Sequence, residues 1–289
     1  MRKDIWGNTH YKIGLHLHST NSDGLKTPEE IALEYTENGY DAIALTDHWY
    51  YTDAGEIHGL KILSGCEYNT GGGDTTVDVM HILGLGMKQN PKIPRDASRQ
   101  GIIDGIQNAG GIAVLAHPAW SLNTPADALQ LKGFMATEIY NAVSEAHESV
   151  RPYSGYFADL MANAGTYYGL LATDDAHYYD GSDNCKGWVM VQANDLTEES
   201  ILNALREGNY YASQGPDVYV KRENSKLKIH TSPCTTIAVL SNLSWAKNRV
   251  LRGEHLEFFE YEIKENERWL RVEVTDANGK MAWTNYIMV

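Results

Sequence analysis

The sequence predicts an α/β domain over residues 1–215 followed by a small antiparallel β domain over 216–289. Two textures and the break between them carry that expectation. Up to about residue 193, short apolar runs alternate with helix-like stretches, as repeated βα units do in a barrel or a layered α/β fold. After Gly215-Pro216 the chain changes to polar and apolar alternation broken by turn dipeptides. A chain of 289 residues is long enough for one large domain and a small one.

In chain order, the apolar runs of strand length fall at 12–17, 41–46, 61–66, 79–86, 112–116, 136–140 and 168–173. The first helix is signalled at both ends. Thr27-Pro28-Glu29-Glu30 supplies an N-cap, a proline at the first helical position and a capping-box glutamate, and Gly39 ends the segment. Further helices are expected at 96–109 before Gly110-Gly111, at 149–164 before Gly165, and at 197–206, opened by Thr197 and Glu199 and closed by Gly208. In the second domain VYVKREN, KLKIHT, TIAVLSN, EFFEYEI and WLRVEVTD read as strands separated by Asn-Ser, Ser-Pro and Asn-Gly turns. That domain holds no cluster of His, Asp and Glu, so it is expected to be a structural or binding appendage.

Composition narrows the function classes. A hydrophobic fraction of 43% with no apolar run near the roughly 18 residues of a spanning helix excludes a membrane partner through such a helix. MRKDIWGNTH lacks the apolar segment of a signal peptide, so the expected location is the cytoplasm. Cys66, Cys185 and Cys234 have no CxxC spacing and read as reduced thiols; Cys66 in a strand faces away from Glu67. A net charge of −14 disfavours a nucleic-acid polymer as partner. It does not disfavour a small anionic ligand, because three divalent ions would place about six positive charges at one point.

The chemistry-bearing residues recur at strand ends. In Gly14-Leu15-His16-Leu17-His18, strand alternation puts both imidazoles on one face. The polar loop that follows carries Asp23, and Ala42–Leu45 runs into Thr46-Asp47-His48. Other apolar strands contain or end in Glu67, His81, His117, and Asp175 with His177. One histidine at a strand end is most often a hydrogen-bonded core or loop residue. Six imidazoles and three carboxylates so placed point instead to divalent metal, of the Zn, Mn or Fe kind rather than Ca. They are too many for one tetrahedral ion, and Glu67, with two oxygens, can bridge a pair.

HLHSTNSDG, ALTDHW, SGCEYN, MHILG, AHPAW, EIYN and TDDAHY closely resemble, in order, the motifs of the PHP (polymerase and histidinol phosphatase) superfamily of metal-dependent phosphoesterases, over residues 12 to about 215. The resemblance implies a distorted (β/α)7 barrel with up to three divalent ions (Zn, Mn or Fe) at the C-terminal ends of its strands. One ion would take His16, His18, Glu67 and Asp175. A second would share Glu67 and take His81 and His117, and a third would take Asp23, His48 and His177. In TDDAH, Asp174 and Asp175 compete; the family's DxH spacing selects Asp175 and leaves Asp174 a supporting or helix-capping role. Asp47 is expected to accept from the free nitrogen of a ligating imidazole. Glu138 and Asn141, in EIYN, match a family segment near the pocket, read equally as a strand-end turn, and stay outside the ligand set. His10, His58, His147, His230 and His255 are assigned surface or core roles, with His147 the candidate for substrate contact. Trp49-Tyr50-Tyr51 reads as wall packing, with stacking on a base as the alternative.

The implied activity is hydrolysis of a small phosphate ester, a nucleotide or sugar phosphate, by a metal-activated water. Glu67 would bridge the ions, and Asp23, His48 or His177 would assist protonation of the leaving oxygen. Carbamate or amide hydrolysis at the same metals is the alternative, because the same water can attack a carbonyl carbon. A third reading is a metal-binding module without turnover, attached by 216–289 to a partner or carbohydrate.

Overall fold

In the computed structural model, which describes residues 1–71 and 78–289, helix α1 (Pro28–Glu37) begins as its sequence foretells. The Thr27 hydroxyl accepts from the Glu30 N–H, the Glu30 carboxylate accepts from the Thr27 N–H, and Pro28 needs no partner for its nitrogen. The other helices are α2 (Arg99–Asn108), α3 (Pro125–Ala128), α4 (Gly155–Asn163) and α5 (Glu198–Glu207), with one π turn at Ser144–Glu148. The first strands are β1 (Arg2–Lys3), β2 (Thr9–Gly14), β3 (Ala42–Ala44), β4 (Gly55–Ile57), β5 (Leu60–Leu63), β6 (Gly65–Thr70) and β7 (Met80–Leu85). They are followed by β8 (Ile112–Leu115), β9 (Phe134–Asn141), β10 (Gly169–Thr173), β11 (Trp188–Gln192) and β12 (Tyr210–Ser213). The remainder are β13 (Val218–Glu223), β14 (Lys226–Ser241), β15 (Val250–Glu262), β16 (Trp269–Thr275), β17 (Met281–Thr284) and β18 (Ile287–Met288).

Several expected elements move for local reasons. The 12–17 run pairs as β2 over 9–14, so His16 and His18 lie past the ladder, where the chain is held by a bridge from Leu17 to Ala176. The 61–66 run divides at Ser64, whose N–H donates to Glu198 of α5, after which Gly65 pairs with β7 instead of continuing β5. The helix expected over 149–164 starts only at Gly155, because a bridge between Tyr140 and Tyr153 keeps the preceding segment extended. KLKIHT and TIAVLSN are one strand, β14, with its register broken near Cys234; Pro233 sits exposed at that irregularity and not in a reversing turn. Strands β11 and β12 were not among the expected ones, although Val189, Met190 and Val191 are fully buried.

The strands form two hydrogen-bonded sheets in a mixed α/β fold. A long one runs β13-β14-β16-β17-β12-β11-β2-β3-β5-β4, and a shorter one runs β10-β9-β8-β7-β6. Pairing is parallel for β2 with β3, β3 with β5, β8 with β9 and β9 with β10, but antiparallel for β6 with β7 and β7 with β8. Bridges from Leu17 to Ala176 and from His48 to Glu67 join the sheets. Among the described residues the ladders do not close into a ring, so the expected (β/α)7 barrel is seen only as this mixed-sheet arrangement. One apolar core nevertheless draws Ile13, Ala44, Leu63, Leu83, Val114, Leu171 and Val189 from both sheets.

The strands after residue 215 extend the long sheet through the β12–β17 pair. They also meet α4 at a buried cation. The Arg271 guanidinium, 0% exposed as a residue, donates to both Asp159 oxygens at 2.6 and 2.8 Å and to Glu273 at 2.6 Å. Nearly complete enclosure opposes its charge, but the three carboxylate contacts more than compensate and raise its pKa. No helix among the described residues is long and apolar enough to cross a membrane.

Candidate metal centre

Strand geometry explains why the predicted ligands meet. His16, His18, His48, His117, Asp175 and His177 follow the C-terminal ends of β2, β3, β8 and β10, while Glu67 and His81 lie diagonally across the antiparallel pair β6 and β7, where Glu67 pairs with Leu83 and His81 with Asn69. Three groups of potential ligand atoms result: His16, His18, Glu67 and Asp175; Glu67, His81 and His117; and His18, Asp23, His48 and His177. The last group includes His18 in addition to the three residues expected there. Its Nε2 faces Glu67 and Asp175, and its Nδ1 lies 3.5 Å from Asp23.

In the first group the atoms converge on a common point. His18 Nε2 stands 3.2 Å from His16 Nε2, 3.1 Å from Glu67 Oε2 and 3.0 Å from Asp175 Oδ1, and His16 Nε2 is 3.3 and 3.1 Å from the same oxygens. Ligand atoms around a tetrahedral zinc with bonds of about 2.0–2.1 Å are themselves about 3.3 Å apart. Glu67 Oε2 and Asp175 Oδ1 are buried without a hydrogen-bond partner in this structure. Such orphaned carboxylate oxygens among nitrogens fit a divalent cation. The other Glu67 oxygen, Oε1, lies 3.0 Å from His81 Nδ1 and 3.4 Å from His117 Nε2. Around Asp23 the spacing is looser, at 3.7 Å to His48 Nε2 and 3.6 Å to His177 Nε2.

The electrostatics are those of opposite charges packed together. Burial would discharge His18, but Asp175 and Glu67 outweigh it and hold the imidazolium pKa at about 9. Burial likewise opposes charge on Glu67, yet His16, His48 and His81 hold its carboxyl well below the usual range. His48 goes the other way, to about 4, because burial prevails over Glu67 and is reinforced by His18. His117 and Asp175 have φ of 26° and 54°, a region that non-glycine residues enter at some energetic expense when surrounding structure holds them.

Supporting contacts correct part of the expectation. Asp47 accepts from the Ser19 N–H and from the hydroxyls of Ser19 and Ser22, so it fixes the loop bearing Asp23 and touches no imidazole. The role expected of Asp47 falls instead to Glu138. Its Oε1 is 2.7 Å from His16 Nδ1, and its Oε2 accepts from the His117 N–H and from Asn141 Nδ2. Asn141 also donates to Asp175. The Asp175 carbonyl, 2.6 Å from His177 Nδ1, and Ser121 Oγ, 3.1 Å from His117 Nδ1, likewise leave the two Nε2 atoms toward the site. Asp174 points elsewhere, accepting from Tyr35 and from the N–H groups of Cys185, Lys186 and Gly187; burial raises its pKa to about 6 against those donors. Glu138→Gln is expected to weaken metal binding about 10- to 100-fold while leaving the fold intact, as measured by metal titration and circular dichroism.

The ligands open into a cavity of about 330 Å³ whose other walls are Leu25, Trp120, Val143, Ser144, Glu148 and Tyr178. No lysine or arginine lines it among the described residues. Trp120, which the sequence did not single out, stands edge-on to His117 at 4.9 Å. His147 is not in the lining but stacks on Tyr178 at 4.0 Å. Trp49 and Tyr51 pack into a core cluster, with Trp49 bonded to Asn69, and Tyr50 is exposed; none of the three lines the cavity. His10 is buried beside Asp4, and His230 packs against Phe258.

Comparison with solved structures places this chain beside a two-domain protein containing a predicted PHP-like metal-dependent phosphoesterase from Bacteroides vulgatus. That match has 16% identity, covers 99% of each chain and has a TM-score of 0.59. An amidohydrolase from Chromobacterium violaceum is similar at 19% identity over 59% of this chain and 89% of its own, with a TM-score of 0.41. The lesion-specific endonuclease Q of Pyrococcus furiosus is similar at 16% identity over 70% of this chain and 57% of its own, with a TM-score of 0.46. Identities this low bear on the fold alone, and of the three only the first, by its TM-score of 0.59, does so. No curated protein matches significantly. The family model for the PHP domain matches residues 14–207, a span that holds every residue of the three clusters, and the chain belongs to the PHP domain family.

Proposed function

We propose that the chain is a metal-dependent hydrolase that cleaves a small phosphate ester, a nucleotide or sugar phosphate, in the cavity above the clustered ligands. The observation that carries this reading is the position of Glu67. Its Oε2 faces His16, His18 and His48 while Oε1 faces His81 and His117, the placement of a carboxylate shared between two ions. When bound, divalent ions of the Zn, Mn or Fe kind, up to three of them, would supply the charge that acidifies a water and polarises a phosphoryl oxygen.

The chain's own groups have distinct tasks in this reading. His16, His18, Glu67 and Asp175 hold one ion, and Glu67, His81 and His117 a second. Asp23, His48 and His177 hold a third with His18 beside them; being partly exposed, they also face the leaving group and serve its protonation. Glu138 and Asn141 fix the rings and carboxylate behind them. With no lysine or arginine in the lining among the described residues, a phosphate depends on the ions for attraction, and a chain of net charge −14 suits a small molecule better than a nucleic-acid polymer. We further propose that the bridged sheets constitute the distorted (β/α)7 barrel, that the metal-binding domain spans 1–215 with 216–289 as the appended β domain, and that the protein works in the cytoplasm.

A second reading, carbamate or amide hydrolysis, draws support from the apolar wall of Leu25, Trp120, Val143 and Tyr178. A panel of phosphate monoesters, diesters, carbamates and amides, assayed with metal-loaded protein, separates the two. Turnover of a phosphate ester alone supports the first reading, and turnover confined to carbonyl substrates refutes it.

Metal uptake should also report on the site. With its pKa raised to about 9, His18 is charged at neutral pH and must lose a proton to ligate. Zinc affinity is therefore expected to rise with pH and level off above about 9, with proton release seen by calorimetry in buffers of different ionisation enthalpy. An affinity independent of pH between 6 and 9 would contradict the ligand role.

A further inference from the structure

A second cavity, of about 460 Å³, lies at the other end of β2. Trp6, Asn8, His10, Gln192, Tyr211 and Tyr219 are among its lining, so the N-terminal turn, β11, β12 and β13 all contribute. At about 3.3 Å per residue, the stretch from His10 to His16 separates it from the metal ligands by roughly 20 Å. Its volume falls within the range of about 300–1,000 Å³ typical of small-molecule sites.

The lining has little free charge. Asp4 is occupied by the N–H groups of Trp6 and Asn8, by Asn8 Nδ2 and by His10 Nε2 at 3.3 Å. Lys221, its one Lys or Arg residue, is paired with Glu223 at 3.3 Å. A phosphate-bearing ligand would find no anion site here. What remains is aromatic surface and neutral polar groups. The Gln192 side-chain amide makes no hydrogen bond among the described residues, its backbone N–H donating to the Asn209 carbonyl, and His10, 4% exposed, keeps an unpartnered Nδ1. Side-chain amides offer donor and acceptor together, the combination that ligand hydroxyls require.

Ring geometry separates the ligand classes further. Tyr211 and Tyr219 meet at 89°, and His10 is tilted by 51° and 56° to them, so these rings form an angular basin and not a parallel slot. A flat nucleobase is poorly served by such walls, whereas a puckered ring can lay its C–H face on one aromatic and turn its hydroxyls to the amides. Trp6 is held in place by the Asp4-capped turn and remains 41% exposed, available to be covered.

We propose that this cavity binds a neutral mono- or disaccharide, at a site separate from the metal centre. The test uses the full-length, metal-loaded chain and a panel of methyl glucosides, maltose, cellobiose and diacetylchitobiose, followed by saturation-transfer NMR and calorimetry to about 10 mM, which detects millimolar binding. At least one sugar is expected to bind. Trp6→Ala and Gln192→Ala are each expected to weaken it about tenfold. Both positions are partly exposed, and both variants should keep wild-type metal content and far-UV circular dichroism, which separates lost binding from lost folding. The proposal is overturned if no sugar in the panel binds, if both folded variants bind undiminished, or if adenosine binds there in preference to every sugar.

Discussion

Glu67→Ala is expected to lower turnover by on the order of a thousandfold or more and to remove at least one metal ion per chain. The size follows from the geometry. Loss of a group that merely orients a ligand costs about 10- to 100-fold, whereas Glu67 offers one oxygen to each of two clusters. The side chain is fully buried among imidazoles that favour its charge, so its removal is also expected to cost the apo protein some stability. Elemental analysis and circular dichroism on the purified variant, beside steady-state kinetics, distinguish loss of metal from loss of fold. Normal metal content with near-normal turnover would falsify the shared-ligand role.

The second large effect concerns stability. Arg271→Ala is expected to destabilise the chain by about 3–5 kcal/mol, because it strands Asp159 and Glu273 beside a buried void. The pair matters for architecture: Asp159 belongs to α4 and Arg271 to β16, so one cation ties the residues before 215 to the sheet after it. Neutralising the partners as well, in an Arg271→Met, Asp159→Asn, Glu273→Gln variant, should recover much of the loss, since no uncompensated charge remains. Urea denaturation of the three proteins measures this, and a loss under about 1 kcal/mol for Arg271→Ala would show that the contact is marginal.

Much of this centre is legible in the sequence because strand alternation and strand ends are local. His16 and His18 share a face by their spacing alone, and His48, His117 and His177 each follow an apolar run. The support behind them is not local. Glu138 reaches His16 across 122 positions, and nothing near either residue states that they touch. Asp47 is next to His48 in sequence, a position that predicts contact with an imidazole, but its carboxylate turns to Ser19 and Ser22 instead. Choosing between Asp174 and Asp175 needed the family spacing; the structure separates them by direction, one toward Tyr35 and the 185–187 loop, the other toward His16 and His18. In the fold, the capping box of α1 was readable, whereas the antiparallel β6–β7–β8 order was not, because an apolar run does not say which neighbour it will pair with.

The most direct test of the metal centre is anomalous X-ray diffraction at the manganese, iron and zinc edges, on crystals of protein never exposed to chelator. The expected result is at least two peaks on either side of the Glu67 carboxylate, one within about 2.0–2.3 Å of His16, His18 and Asp175 and another at that distance from His81 and His117. Active protein whose maps hold no metal peak at Glu67 would contradict the account.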